Sequence, residues 1–126
     1  MARRTPSIST AYDQSYACYT CDIKGLDKEK DLDQRTWCCK RCDRSVAIEL
    51  ADDDGSTATA MRRQAQHIQT GYLVYLEHDL ERGALEILES QPAMKAGMWY
   101  LAIKSHRGVT VEPDRYFNCV IMGDML

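Results

Sequence analysis

Short apolar runs separated by turn residues set the pattern of the second half of the chain. Each run is rich in Tyr, Val, Ile or Leu, and the segments between the runs contain glycine, proline or charged residues. The runs lie at residues 72–77, 84–89, 98–104, 109–111 and 116–122. Short runs of this kind bounded by turn signals are typical of strands. Five strands in so short a segment predict a small antiparallel β-barrel of the SH3-like kind, or an open antiparallel sheet, because a sandwich needs more strands.

Two segments of this half leave the secondary structure open. Residues 83–90, G-A-L-E-I-L-E-S, contain good helix formers, so a helix competes there with the strand that we favour. Residues 59–70 have a thin apolar face and predict either a short helix or an extended lead-in. Helical content is expected to be low in either case.

The first half has one clear strand pattern and a long charged loop. Val46, Ile48 and Leu50 alternate with less apolar positions, which predicts a strand. Residues 22–35 carry charges of alternating sign, which favours a solvated loop.

Six cysteines are the strongest chemical signal in the sequence. They occupy positions 18, 21, 38, 39, 42 and 119, so that five fall close together. Cys18, Cys21, Cys39 and Cys42 give the pattern C-x2-C-x17-C-x2-C, which is typical of a metal site with four thiolate ligands. Two thiolates separated by two residues can bind one tetrahedral metal, and two such pairs complete its coordination.

Zinc is the favoured metal, with iron as the less favoured alternative, because four thiolates suit both. A redox or disulfide arrangement is a further alternative. Four thiolates and Zn²⁺ carry a net charge of −2, which Lys40, Arg41 and Arg44 could partly offset. Cys38 would form a less usual C-x3-C pair with Cys42, so Cys39 is the better ligand. Trp37 is interpreted as part of a small hydrophobic core.

The cysteine pattern resembles a zinc ribbon, in which short strands hold two cysteine knuckles. The resemblance covers about residues 14–50 and rests on the four cysteines and on the following strand. The knuckles, C-Y-T-C-D and C-K-R-C-D, lack the Gly or Pro neighbours that such knuckles usually carry. Zinc ribbons occur in many transcription, translation and replication proteins and bind nucleic acid, protein or nothing. The resemblance therefore implies a metal-bound fold and leaves the function open.

Four parts of the chain are predicted from these patterns. An N-terminal tail (1–13) precedes the zinc ribbon (14–50). A linker follows at residues 51–60, A-D-D-D-G-S-T-A-T-A, whose acidic, glycine and small residues are typical of a connection. The small β-barrel-like domain takes residues 61–126. The predicted fold class is thus mainly β.

The distribution of charge disfavours a protein that binds nucleic acid by charge alone. Residues 1–50 carry nine Lys and Arg against eight Asp and Glu, and residues 51–126 carry seven against eleven, which gives +1 and −4. Neither half is strongly basic. No apolar run follows the charged N-terminus, and no window approaches the ~18 apolar residues of a membrane span. We expect a soluble, cytoplasmic protein without a membrane partner.

A thiol or metal-dependent enzyme is an alternative reading from a different functional class. Cys119 could act as a nucleophile, with His106 as base and Asp114 orienting it. A cysteine within Y-F-N-C-V-I is more often a small buried hydrophobic residue, and no phosphate loop or nucleophile elbow is present. No catalytic residue is therefore predicted.

The sequence favours a non-enzymatic, zinc-binding adaptor or regulatory protein that recognises a protein partner through the ribbon, the barrel or both. A nucleic-acid-binding protein related to transcription or replication is the alternative. Basic and aromatic side chains near the knuckle and on the later strands are the candidate partner contacts. These are Lys40, Arg41, Arg44, Trp99, Lys104 and Arg107. The sequence does not indicate an oligomeric state.

Overall fold

The computed structural model of the chain describes residues 8–123. Residues 1–7 of the predicted tail and residues 124–126 of the predicted C-terminal domain lie outside the described residues. The chain is mainly β, as predicted, with a large antiparallel sheet and almost no helix. The strands are β1 Asp13–Ala17, β2 Leu32–Asp33, β3 Cys38–Cys39, β4 Ala47–Ala51, β5 Thr57–Gln64, β6 Leu73–Leu76, β7 Asp79–Pro92, β8 Trp99–Ile103, β9 Val109–Val111 and β10 Tyr116–Val120. A 3-10 turn at Ala65–His67 follows β5.

The described chain divides into two compact units. The first, which we call the cysteine unit, contains residues 9–62 together with residues 121–123. The second, the sheet unit, contains residues 63–120 and Ile8. The domain boundaries drawn from the sequence stay a prediction.

The cysteine unit is built on an antiparallel arrangement in which β4 lies between β1 and β5. The alternation of Val46, Ile48 and Leu50 has the predicted outcome: all three side chains are buried, and residues 47–51 form β4. The turn between β4 and β5 falls within the residues assigned above to a linker. There the Asp52 carboxylate accepts the N–H groups of Asp54 and Ser56, at 3.0 and 2.8 Å, which fixes a hairpin.

A two-stranded sheet of β2 and β3 leads into the second cysteine knuckle, whose first cysteine, Cys39, is the last residue of β3. Leu32 lies opposite Cys39 in this pair. Leu32 is 1 % exposed, so it supplies apolar contact beside the cysteine that the strand carries. The remainder of the loop that precedes β2 is mostly exposed, as its charge pattern predicts.

The sheet unit contains the strand order β10-β6-β7-β8-β9, and every adjacent pair is antiparallel. Among its described residues this sheet does not close into a barrel. Of the two predicted architectures, the open antiparallel sheet is therefore the one found. Strand β7 pairs with β6 through its first half and with β8 through its second half, and a bulge lies between Ile87 and Glu89. A bulge increases local twist and bends the strand, which lets one strand serve two neighbours in this way.

All five apolar runs of the second half form strands, with ends that differ from the prediction by a few residues. Strand β7 is much longer than the predicted strand and extends well beyond residues 84–89 in both directions. The helix considered for residues 83–90 is wrong, because tertiary pairing with β6 and β8 overrides the helix propensity of this segment. Of residues 59–70, residues 59–64 are extended in β5 and Ala65–His67 form a short 3-10 helix, so each of the two predicted alternatives describes part of the segment.

Each unit has buried apolar side chains of its own. In the cysteine unit the buried side chains are Tyr16, Leu32, Trp37, Val46, Ala47, Ile48, Leu50, Ala60 and Met61. In the sheet unit they are Ala65, Ile68, Tyr72, Val74, Leu80, Ile87, Leu101, Ile103, Tyr116 and Cys119. The prediction that Trp37 is a core residue is confirmed by its exposure of 4 %.

Candidate metal centre

Four cysteine side chains converge in the cysteine unit. The sulfur atoms of Cys18, Cys21, Cys39 and Cys42 all lie within 4.8 Å of one another. Cys18 and Cys39 are each 1 % exposed, whereas Cys21 and Cys42 are half-buried. The first cysteine of each knuckle is thus buried in the cysteine unit, and the second is partly exposed to solvent. The sequence separation between the knuckles is large, so this convergence is a product of tertiary folding.

The two knuckles repeat one backbone pattern. The N–H of Cys18 donates to the carbonyl of Ile23, and the N–H of Cys39 donates to the carbonyl of Arg44, each at 2.8 Å and five residues apart. Within the first knuckle, the N–H of Cys21 also donates to the Cys18 sulfur at 3.3 Å. Backbone N–H donors orient sulfur ligands and stabilise them as thiolates.

Both knuckles turn through an aspartate in the left-handed region. Asp22 has φ of 55° and Asp43 has φ of 63°, and each follows the second cysteine of its knuckle. Asp and Asn adopt this conformation more readily than other non-glycine residues. The knuckles therefore reach the needed turn without the Gly neighbours that the sequence lacks.

The cluster is chemically and geometrically suited to one tetrahedral metal ion. A metal with four thiolates at about 2.3 Å separates its sulfur atoms by roughly 3.8 Å. The observed cluster, within 4.8 Å overall and 3.4 Å between the sulfurs of Cys18 and Cys42, needs only small adjustments to reach that geometry. Four cysteines also fill every coordination position of a tetrahedral ion, as in structural centres and unlike catalytic ones, which keep a position open.

Within the cluster, the pKa values of Cys18, Cys21 and Cys39 are shifted from the ordinary value of a thiol. Hydrogen bonds with Cys42 and Cys18 raise the pKa of Cys21 to about 12. Burial raises the pKa of Cys18. Burial acts in the same direction on Cys39, but N–H donors from Cys42 and Arg41 outweigh it and lower its pKa. Without a cation, four thiolates so close together repel one another, so a bound metal would replace protons that the cluster otherwise shares.

The remaining two cysteines stand outside the cluster. Cys38 is half-buried in β3 and its thiol donates to the carbonyl of Thr36 at 3.4 Å. Cys119 is 0 % exposed in β10, and burial raises its pKa to about 12. A neutral thiol sealed from solvent in this way has the character of a small hydrophobic residue.

A buried polar network, which sequence reasoning missed, stabilises the cysteine unit. Arg62 donates to both carboxylate oxygens of Asp13, at 2.7 and 3.0 Å, and the two side chains are 0 % and 4 % exposed. The Tyr16 hydroxyl donates to the same carboxylate at 2.6 Å. The guanidinium of Arg62 also lies 4.2 Å from the centre of the Trp37 ring, which stacks on Tyr16. No local pattern could indicate this network, because its ion pair joins residues far apart in sequence.

The candidate partner contacts fall into two groups, one in each unit. Lys40, Arg41 and Arg44 belong to the second knuckle and are all exposed. Lys104 and Arg107 are exposed in the turn between β8 and β9. Trp99 differs from the others, because it is half-buried.

The indole nitrogen of Trp99 donates to the Ser90 hydroxyl at 3.0 Å. That hydroxyl in turn donates to the carbonyl of Ile68 at 2.6 Å. Trp99 is therefore at least partly a structural residue of the sheet unit.

The residues of the thiol-enzyme alternative occupy different kinds of environment. His106 lies 3.1 Å from an Arg82 nitrogen through its Nδ1, and the other two histidines of the chain, His67 and His78, are exposed. Asp114 lies in the connection between β9 and β10. Cys119, the proposed nucleophile, is closed off from solvent.

No family model matches this chain, and neither a curated protein nor a solved structure matches it. Within residues 8–123, no helix has the length and apolar character needed to cross a membrane.

Proposed function

We propose that this chain is a non-enzymatic adaptor that binds one zinc ion as a zinc ribbon and recognises a protein partner. The convergence of four cysteine sulfurs within 4.8 Å carries the proposal. Such a set leaves no open coordination position for a substrate, so the ion would stabilise the fold and take no part in chemistry. Zinc is preferred over iron because a closed tetrahedral set of four cysteines around one ion is a usual structural zinc centre.

The exposed surface of the knuckles supports a protein partner. Tyr19, between the cysteines of the first knuckle, is 49 % exposed, and Lys40 and Arg41 occupy the corresponding positions of the second knuckle. Tyrosine and arginine are enriched where proteins contact one another. With a formal net charge of −3 the chain also lacks the overall positive charge that favours nucleic acid.

Metal analysis tests the zinc part of the proposal. Protein purified without added metal should contain one zinc per chain and be colourless, whereas an iron-thiolate centre absorbs visible light. Cys39→Ser should lose the metal and Cys38→Ser, its neighbour outside the cluster, should retain it. A parent protein without metal, or a Cys39→Ser variant that keeps one zinc, would contradict the proposed site.

Binding assays test the adaptor part. The zinc-loaded chain would be immobilised and exposed to a library of displayed peptides, and separately to single-stranded oligothymidine and to duplex DNA. An adaptor should select peptides, and Cys119→Ser should bind them as the parent does. Oligonucleotide binding without peptide selection would favour the nucleic-acid-binding alternative, and a Cys119-dependent turnover of a bound peptide would favour the thiol enzyme.

A further inference from the structure

Strand β9 is an edge strand of the sheet unit. In the described part of the chain it pairs with β8 on one side and with no strand on the other. An edge strand presents unpaired N–H and C=O groups that another chain can pair with. By contrast, the edge strand of the cysteine unit is partly covered, because the carbonyl of Tyr16 in β1 accepts the N–H of Leu26 at 2.9 Å.

Hydrogen bonds on the side of β8 away from β9 show which backbone N–H and C=O groups of β8 point towards β7. The carbonyl of Met98 and the N–H of Lys104 both bond to the chain of β7 and its turn, at 2.9 and 2.8 Å. Backbone groups of successive residues point to opposite sides of a strand. Trp99 and Leu101 lie an odd number of residues from both Met98 and Lys104. Their backbone N–H and C=O groups therefore point towards β9.

The register between β8 and β9 then shows which β9 groups face outward. Trp99 lies opposite Val111, and Leu101 lies opposite Val109. These two pairs are hydrogen-bonded, so Thr110 between them turns its N–H and carbonyl away from β8. Thr110 is exposed. Its backbone is thus oriented to receive a further strand.

A groove follows this edge along its whole length. It has a volume of about 490 Å³, and one wall consists of the consecutive residues 107–111. Glu77, Arg115 and Phe117 form the other wall, and Arg115 donates to Glu77 at 2.8 Å. The half-buried side chains of Val109 and Phe117 also line a smaller apolar recess adjoining the groove. A groove beside a strand edge, with apolar side chains along it, has the form used for strand addition.

One end of the groove is positively charged. Lys104 and Arg107 are exposed in the β8–β9 turn, and Arg107 itself lines the groove. Arg82 bonds to the same turn, through the carbonyl of Ser105 and the ring of His106. This concentration of cations favours an acidic residue at that end of an occupant.

We infer that β9 is the docking strand for an extended segment of a partner protein, which adds to the sheet unit beside Thr110. The segment has alternating apolar side chains that contact Val109 and Phe117, and an acidic residue that lies beside the β8–β9 turn. This inference rests on the proposed function, because it takes the partner to be a protein.

A proline substitution at the edge tests the docking strand. Peptides of twelve random residues displayed on phage would be selected on the zinc-loaded chain, and the enriched sequences synthesised for affinity measurement. They should alternate apolar residues and contain Asp or Glu. Thr110→Pro removes the outward N–H, and proline is tolerated on edge strands, so it should weaken peptide binding at least about tenfold. Thr110→Ala keeps the N–H and should bind within about twofold of the parent.

A charge substitution gives a second test that does not alter the backbone. Replacing Lys104 and Arg107 with glutamine should weaken binding of the acidic peptides several-fold, and the difference should shrink as salt is raised. In a Trp37→Phe background, unchanged Trp99 fluorescence in each variant would show that the sheet unit is intact. Peptide binding equal to the parent's in an intact Thr110→Pro variant would overturn the inference and leave the proposed function standing.

Other occupants of the edge give different outcomes. Oligothymidine binding without peptide selection would overturn both the inference and the protein-partner proposal. A dimer of the free chain that Thr110→Pro dissociates would assign the edge to a second copy. Peptide binding that is seen only after removal of residues 1–7 would assign the groove to the chain's own N-terminal segment. Either of these last two results would overturn the inference.

Discussion

The two units of this chain are stabilised by different kinds of interaction. The cysteine unit has short strands, four converging thiols and a buried ion pair. The sheet unit has longer pairing and a continuous set of buried aliphatic and aromatic side chains. A segment of about 60 residues buries little apolar surface, and both units are near that size. The four thiols and the buried ion pair therefore give the cysteine unit specific interactions that supplement its small apolar core.

The two units also differ in which residues their stability depends on. If the four cysteines bind a metal, as we propose, its ligands and the buried ion pair are directional interactions, so a few residues fix the cysteine unit and any one of them is costly to lose. Apolar packing is distributed over many contacts, so no single change in the sheet unit is expected to cost as much as loss of a structural metal. The two tryptophans report separately on this difference, because Trp37 lies in the cysteine unit and Trp99 in the sheet unit.

Loss of the proposed metal should give the largest effect, and that effect should differ between the two units. Structural zinc supplies about 10–16 kcal/mol of apparent binding energy in small modules, so Cys39→Ser or strong chelation should unfold the cysteine unit. In a Trp99→Phe background the remaining Trp37 emission should shift to longer wavelength. In a Trp37→Phe background Trp99 should keep its native emission. Simultaneous loss of both signals would contradict independent stabilisation of the units.

Breaking the buried ion pair between Arg62 and Asp13 should have the second largest effect on stability. Arg62→Met leaves the Asp13 carboxylate buried without its cation, and removal of one partner from such a pair costs about 3–5 kcal/mol. Urea unfolding of the zinc-loaded protein, followed by Trp37 fluorescence, would measure it. Replacement of both partners with apolar residues should recover much of the loss.

The ion pair of the sheet unit is the matched control for this prediction. The side chains of Arg115 and Glu77 are 38 % and 20 % exposed, so Arg115→Ala should cost under about 1 kcal/mol. An equal cost for the two arginines would contradict the assigned role of burial.

A backbone change in a knuckle should have a smaller effect. Asp43 holds φ of 63°, where alanine is strained by roughly 1–2 kcal/mol, so Asp43→Ala should destabilise the zinc-loaded cysteine unit by about that amount. Asp43→Gly relieves the strain and should be as stable as the parent or more stable. Urea midpoints of the two variants would measure the difference, and a less stable glycine variant would assign Asp43 a role beyond its backbone conformation.

The smallest effect concerns Cys119 at alkaline pH. Its pKa is raised to about 12 in the folded chain, against about 8.5 for an exposed thiol. The neutral buried thiol therefore stabilises the fold fully below about pH 8.5, and this contribution falls as pH rises towards 12. The parent should lose stability above pH 9 more steeply than Cys119→Ala, as measured by thermal unfolding. At pH 8 a thiol reagent should not label Cys119 in the folded protein, and rapid labelling would contradict its burial.

Local patterns allowed much of each unit to be predicted. The apolar runs indicated every strand of the sheet unit after β5, because period and turn residues are local signals. The spacing of Cys18, Cys21, Cys39 and Cys42 indicated their convergence, because two short knuckles leave few other ways to satisfy four thiols. The pattern was ambiguous at residues 83–90, where helix propensity and strand pairing conflict and the neighbouring strands decide.

Long-range features had no such signal. The pairing of Asp13 with Arg62 depends on how β1, β4 and β5 are aligned, and many acidic and basic residues were equally suitable partners by sequence. The left-handed turns at Asp22 and Asp43 are permitted by aspartate but not dictated by it.

By itself, the sequence determined the strands of the second half and the set of four cysteines that converge, since both depend on residue spacing over short segments. Only the tertiary structure decided that the sheet stays open among residues 8–123, that Cys119 is sealed from solvent and that Thr110 lies on an edge strand of that described sheet. These properties follow from which strands become neighbours, and that choice rests on the packing of side chains that are distant in the sequence.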